Sequence, residues 1–447
     1  MPLRRLSARE YLTDVVGGVS AYPIYRLRER QSGDRLRAWQ LDRVRALVER
    51  ACATVPVYRE RYAAAGYHPG DLRTWTDFAG LPTMTKADLV DAYPERAVAS
   101  DTPLSACLIS TSSGSTGRMM EIPHRADRMW AYALLTERVF RQLAGRYPPT
   151  WRQAYIYTSP YPVRGTLGLY PTTFIPTADD PDKMIDALRR CRPQLLSVYP
   201  TVLRDLLAAD PSAMGRLDLQ AVAVSSEQST ADERSAWADL LGCPVGDQYS
   251  SEELGYIAAE CARGSYHLVE DMTYVEILES ASDRPATGIG EVVGTQLHNR
   301  TMPFIRYRQG DLAGVETRRC PCRRPSDGPV RQLTELAGRA NDGFVLADVR
   351  RLSPGFLLDA CYRAILPRPA EVAAYRLIQT ATDSVDLEVT PGRAWAGSSA
   401  EALRRGLADE LPPSLRVTVR PVDRLARQEA GKRTTIVRDL VAQRPVK

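Results

Sequence analysis

Apolar positions recur at helical spacing over the first hundred residues. Leu36, Trp39, Leu41, Val44, Leu47 and Val48 form one such run, and side chains three and four apart share a helix face. Val55-Pro56-Val57-Tyr58 breaks it, because proline removes a helix donor and clashes with the preceding turn. Thr85-Lys86-Ala87-Asp88-Leu89 predicts an N-capped helix start, with Lys86 solvated in its first turn. From about residue 104 to 330 the pattern changes. Short β-like runs, Ala154-Tyr155-Ile156-Tyr157, Leu195-Leu196-Ser197-Val198-Tyr199 and Ala221-Val222-Ala223-Val224-Ser225, alternate with helical stretches at 182–191 and 230–241. Such alternation predicts an α/β architecture whose ligand loops lie at the C-terminal ends of strands. Hairpin-like segments follow at 291–295 and 304–307. Gly338-Arg339-Ala340-Asn341-Asp342-Gly343 marks a boundary. Beyond it, strands at 374–377, 386–389 and 415–419 predict a small α+β domain. The expected organisation is a domain over 1–337, mainly helical to 103 and α/β with a β-rich end from 104, followed by a second over 338–447.

Composition removes several function classes. The net charge of +5 is mild and spread along the chain, which does not predict a nucleic-acid partner. No apolar run approaches the roughly 18 residues that span a bilayer, and Met1-Pro2-Leu3-Arg4-Arg5-Leu6 leads into polar sequence, so the expected location is cytoplasmic, without a membrane partner. Eight cysteines in 447 residues are too sparse for a disulfide framework and favour reduced thiols or a metal. Positive charge is almost entirely arginine, the four lysines being Lys86, Lys183, Lys432 and Lys447. A lysine kept in such a chain is a candidate for a task arginine cannot perform.

The most chemically suggestive stretch is Leu108-Ile109-Ser110-Thr111-Ser112-Ser113-Gly114-Ser115-Thr116-Gly117-Arg118. Backbone N–H groups, hydroxyls and one cation could converge there on an anion, as in a phosphate cradle. The spacing is neither that of a Walker loop nor of a nucleophile elbow; a Ser/Gly surface turn is the alternative. A second candidate is the set Cys261, His267, Cys320 and Cys322. Three thiols and an imidazole suit a closed tetrahedral Zn²⁺, and the alternative is unrelated thiols with a chance histidine.

Five stretches fall into one order: the loop ending at Arg118, Asp247-Gln248-Tyr249-Ser250-Ser251-Glu252, Arg306-Tyr307-Arg308-Gln309-Gly310-Asp311-Leu312, Gly338-Arg339, and Arg427-Gln428-Glu429-Ala430-Gly431-Lys432. This order resembles the adenylate-forming enzymes. Met302-Pro303-Phe304-Ile305-Arg306-Tyr307, Pro56-Val57-Tyr58-Arg59 and Leu81-Pro82-Thr83-Met84-Thr85-Lys86 are similar to their phenylacetate-CoA ligase branch. The resemblance implies a large N-terminal adenylate-forming domain of mixed sheets and helices and a small mobile α+β C-terminal domain. It implies ATP and Mg²⁺ as cofactors, an acyl-AMP intermediate with release of pyrophosphate, and transfer to coenzyme A, with an aryl or arylacetic acid as substrate. Transfer to an amine, a carrier-protein thiol or another nucleophile in specialised biosynthesis is the alternative acceptor chemistry, and a catalytically silent nucleotide-binding protein is a third.

Residue roles follow from the resemblance. Ser112, Ser113, Gly114, Ser115, Thr116, Gly117 and Arg118 would hold the leaving phosphates, and Glu252 would engage Mg²⁺, a hard cation suited to carboxylate oxygen. Asp311, an acceptor-only group when ionised, would take both ribose hydroxyls, with Arg339 beside it. Ser225, Ser226, Glu227 and Gln248 would line the adenine and Tyr249 would stack on it. Tyr157 and Tyr199 would flank the acid. Lys432 would neutralise the charge developing between carboxylate and α-phosphate, and Asn341 would be the hinge. A structural zinc also occurs in some relatives of this type. A homodimer is left open.

Overall fold

In the computed structural model the residues described are 7–31, 33–112, 119–125, 130–158, 169–280, 282–339, 343–423, 425 and 435–439. The chain divides into two compact units, one comprising Met1–Arg146 and Gln248–Glu335, the other Tyr147–Asp247 and Leu336–Lys447.

The first unit begins with helices Ala8–Glu29, Gly33–Thr54 and Pro56–Ala64. The proline break falls where the sequence places it: Val55 is the N-cap and Pro56 occupies the first helical position, where its missing N–H costs nothing. Leu36, Val44, Leu47 and Val48 are buried as one face of the second helix. Thr85 caps the helix Lys86–Ala92 through a reciprocal bond with Asp88, and Lys86 is half-buried there rather than solvated. Strands Cys107–Ser112 and Met120–Arg125 form an antiparallel pair. The long antiparallel stretches Thr273–Leu278, Gly290–Gln296 and Tyr307–Arg318 follow one another in a meander.

Residues 304–306, expected as strand, are not. The strand starts at Tyr307, because Pro303 cannot donate to a ladder and Arg306 takes φ +47°, outside the β region. Arg306 is wholly buried. Its guanidinium donates to Glu276 at 3.1 and 3.2 Å, to the Ala79 carbonyl at 2.7 Å and to the Leu81 carbonyl, while its own carbonyl accepts from Met84 N–H at 2.9 Å. Two of the stretches that carry the resemblance, 81–86 and 302–307, are therefore one structural joint, closed by a parallel bridge between Met84 and Tyr307.

The second unit contains the α/β alternation read from the sequence. Strands Gln153–Tyr157, Thr172–Pro176, Leu195–Val198 and Ala221–Ser225 pair in parallel, and helices Pro181–Cys191, Pro200–Ala209 and Ala231–Leu241 pack on them. Thr230 caps the last of these in a capping box with Glu233. Its later part is a four-stranded sheet in the order Arg416–Pro421, Ser384–Pro391, Val372–Ala381, Ile436–Arg438. Helices Pro354–Ile365 and Ser399–Glu410 supply Leu357, Leu358, Leu403 and Leu407 to the core against that sheet. Among the described residues no helix is long and apolar enough to cross a membrane.

Candidate active site

The strand Val245–Ser251 carries Gln248 and Tyr249. Alternation along a strand puts neighbouring side chains on opposite faces, and Tyr249 is directed at Asp311 on the strand Tyr307–Arg318. The phenol donates to a carboxylate oxygen of Asp311 at 2.6 Å, with both side chains buried. That separation is in the range of a charge-assisted O–H···O⁻ bond, about 2.5–2.7 Å. Gly310, just before the aspartate, has φ +82°, a backbone state that only glycine takes without cost. Gln248 donates to the Ser250 hydroxyl at 3.3 Å.

Past the end of this strand two adjacent glutamates have different environments. Glu252 is exposed, whereas Glu253 is buried and accepts from the Tyr307 phenol at 3.4 Å. Ser112, the last residue of its strand, is buried, and its hydroxyl accepts from Met120 N–H at 3.3 Å, pinning the two ends of the hairpin to one another. Ser113, Gly114, Ser115, Thr116, Gly117 and Arg118, together with Asn341 and Lys432, lie outside the described residues.

In the second unit the Tyr157 phenol and the Ser225 hydroxyl share a 2.6 Å hydrogen bond. Tyr157 stacks on Tyr155 with centroids 3.9 Å apart and meets Tyr199 edge-on at 4.4 Å. Three aromatic rings thus converge at the C-terminal ends of neighbouring strands. Ser226 has φ +69°, a left-handed conformation that a non-glycine residue holds only where its surroundings impose it. Glu227 accepts from Thr201 N–H at 3.0 Å, which satisfies an otherwise orphaned donor at the start of the helix Pro200–Ala209. Arg339 ends the strand Val330–Arg339, and Gly338 before it has φ +84° and lies so close to the Gln228 amide that a β-carbon would approach within 2.3 Å.

Cys261, His267, Cys320 and Cys322 converge in the first unit, their ligand atoms all within 4.8 Å of one another. Cys261 and Cys320 sulfurs are 3.8 Å apart, and Cys322 sulfur is 3.3 Å from His267 Nε2. A tetrahedron with metal–sulfur bonds of about 2.3 Å places two sulfurs about 3.8 Å apart, so the Cys261–Cys320 separation and the chemistry of the donor set suit Zn²⁺. A hydrogen bond from Cys322 holds the Cys261 thiol well below the usual thiol range. All eight cysteines are free of disulfides.

One feature of the first unit had no motif to announce it. A cavity of about 310 Å³ is lined by His124, Trp130, Tyr132, Tyr256, Gln296 and His298 among others, with Arg50, Arg125 and Arg300 also contributing. His124 Nε2 lies 3.0 Å from the Ser110 hydroxyl, and its Nδ1 lies 3.4 Å from the Tyr132 phenol. Burial lowers both His124 and His298 to about 4, so both rings are neutral. The only local signal was the rarity of histidine, four in the chain.

Within the first unit the Tyr249–Asp311 pair lies next to a left-handed glycine, with an exposed Glu252 just after the strand Val245–Ser251, and the relatives of the chain are ligases. The phenylacetate-coenzyme A ligase of Aromatoleum evansii is 30% identical over 340 residues, 72% of this chain and 74% of that protein. That of Thermus thermophilus is 25% identical over 435 residues, 89% and 95% of the two chains. No family model matches. The crystal structure of a 2-hydroxyisobutyryl-CoA ligase in the postadenylation state, in complex with 2-HIB-AMP, superposes with a TM-score of 0.76 at 19% identity, covering 92% of this chain and 91% of that one, which shows the shared fold. The chain belongs to the phenylacetate-coenzyme A ligase family and is an acid–CoA ligase of the adenylate-forming type.

Proposed function

We propose that this ligase activates an aryl or arylacetic acid, with coenzyme A as the acceptor of the acyl group. The observation that supports the nucleotide half of this reading is the Tyr249–Asp311 hydrogen bond: it holds in place an acceptor-only carboxylate of the kind that suits a ribose diol, beside a tyrosine ring of the kind that suits a base. Glu252 is the metal-binding acid in this reading: it is exposed to solvent just after the strand, whereas Glu253 is buried. Bound there, Mg²⁺ would offset the charge of the phosphate oxygens. Arg339 takes the role of a second ribose contact, and Ser225, Ser226, Glu227 and Gln248 that of adenine neighbours.

For the acid, the aromatic cluster of Tyr155, Tyr157 and Tyr199 supports a flat ring, since aromatic pairs favour edge-on and offset contacts. Ser112 to Arg118 and Lys432 are assigned to the phosphates and to the transferring centre by the motif order. In-line displacement at phosphorus needs chiefly positioning and charge neutralisation, which hydroxyls, backbone donors and one compact ammonium supply. The Cys261, His267, Cys320, Cys322 cluster is assigned to a structural zinc. With four protein ligands, no position remains for substrate.

The test is pyrophosphate release by the purified enzyme with Mg-ATP over aromatic, arylacetic and aliphatic acids, each with and without coenzyme A. Release that depends on an aryl or arylacetic acid, with thioester product when coenzyme A is present, supports the proposal. Release with aliphatic acids alone overturns the acid assignment, and release without thioester overturns the acceptor.

A further inference from the structure

The helix Ala8–Glu29 carries a row of apolar side chains on its outward side. Its inward side is mixed, with the buried Tyr25 edge-on to Trp130 beside several polar contacts. Asp14 is buried and accepts from Trp130 N–H at 2.8 Å, and Glu29 accepts from Arg141 at 2.6 Å and from Gln142 at 3.2 Å. Arg26 reaches Glu137 at 3.3 Å, and the Arg28 guanidinium lies 4.1 Å over the Trp39 ring. Gly17 and Gly18 complete this inner side, close against Trp130. The apolar side faces outward, with Leu12, Val16, Val19, Ile24 and Leu27 each more than half exposed.

A surface helix ordinarily turns its apolar stripe to the core, so an uncovered stripe of this length calls for an occupant. Leu12, Val16, Val19, Pro23 and Leu27 follow one another at steps of four, three, four and four, the spacing of a helix-pairing seam. No residue that is fully exposed between Arg9 and Arg30 carries a charge, which matches the charge depletion of interface cores. It does not match an interfacial lipid-binding helix, whose outward side carries basic residues beside its apolar ones; here Arg26 and Arg28 are turned back onto the body.

We propose that this face pairs with the same helix of a second copy of the chain, antiparallel and crossing near Val19 and Ser20. Such a pairing sets Leu12 of one copy beside Leu27 of the other and puts the small Ser20 at the crossing point, where the backbones come closest. From their fractional exposures Leu12, Val16, Val19, Ile24 and Leu27 leave roughly 550 Å² open per copy, so a symmetric pair buries up to about 1,100 Å², which clears the roughly 1,000 Å² a specific interface needs.

The experiment is sedimentation equilibrium of the full chain over micromolar concentrations, for wild type and for Val19→Lys. The side chain is exposed in the single copy, so the substitution spares its core, and unchanged circular dichroism and thermal midpoint of dilute protein check this. The wild type is expected to be a dimer, with dimerisation weakened at least about 100-fold in the variant, as for a charge placed at the centre of an interface. A Ser20→Cys variant is expected to form an intermolecular disulfide under mild oxidation. A monomeric wild type, a dimer that survives Val19→Lys, or a monomeric wild type that sediments with anionic lipid vesicles overturns the proposal, the last in favour of a membrane surface.

Discussion

Substitution of Tyr249 by phenylalanine isolates the hydroxyl that holds Asp311. The ring is kept, so its packing, and the stacking proposed for it, are retained and no cavity forms. What is lost is one hydrogen bond of 2.6 Å to a carboxylate between two side chains that are each 8% exposed. A hydrogen bond to a charged group contributes about 1.5–3 kcal/mol net, and the loss falls partly on folding and partly on the aim of the carboxylate. If about 1.4 kcal/mol of it is felt at the nucleotide, KM for ATP rises about tenfold. The chemical step, several bonds away from the ribose, changes by no more than about threefold in kcat. The assay is pyrophosphate release against ATP concentration at saturating acid, paired with urea unfolding of each variant. Asp311→Asn completes a double-mutant cycle, in which the coupling energy between the two positions should exceed about 1 kcal/mol. A Tyr249→Phe enzyme that loses stability yet keeps its KM for ATP within twofold would refute the reasoning, because the bond would then serve the sheet and not the nucleotide.

Three further outcomes are expected. Burial alone would raise the Asp271 carboxyl, but Arg138, bound to it at 2.7 and 2.8 Å, outweighs this and holds it below the ordinary range; Asp271→Asn strands a buried guanidinium and should cost about 3–5 kcal/mol in urea unfolding. His124 and His298 have folded values near 4 against about 6.5 when unfolded. Their contribution is therefore complete above pH 6.5 and is lost as pH falls toward 4, at up to about 1.4 kcal/mol per pH unit for each; His298→Gln should flatten the urea midpoint over that window, and an unchanged slope contradicts the assignment. Cys261→Ser should remove about one equivalent of zinc by elemental analysis and lower the thermal midpoint, whereas wild-type protein prepared with zinc in the medium and found without it ends the metal assignment.

How much of this was legible beforehand depends on whether the cause was local. Helix starts at Pro56, Lys86 and Ala231 follow from proline and capping residues a few positions away, and the parallel strands at 153–157, 195–198 and 221–225 follow from continuous apolar runs. The 304–306 segment was misread because its apolar residues resemble a strand, while the conformation is set by a buried Arg306 whose partners, Glu276 and the carbonyls of Ala79 and Leu81, are remote in sequence. The same distance hid the histidine-lined cavity, whose walls come from separate parts of the first unit. The cysteine cluster was readable because thiol chemistry limits what such residues do together, even with Cys261 and Cys320 far apart in the chain. The outward apolar stripe of the first helix was invisible for the opposite reason. Periodicity gives a helix an apolar side but does not say whether that side meets its own core.

The central claim is that the acid's carboxylate oxygen attacks the α-phosphate of ATP. It is tested most directly by supplying acid labelled with heavy oxygen in its carboxylate and analysing the products of complete turnover in the presence of coenzyme A by mass spectrometry. The account predicts one labelled oxygen in AMP and none in pyrophosphate, because the bridging oxygen of the acyl-adenylate stays with AMP when the thiol takes the acyl group. Label in inorganic phosphate, with ADP as the nucleotide product, would mean an acyl phosphate and would contradict it.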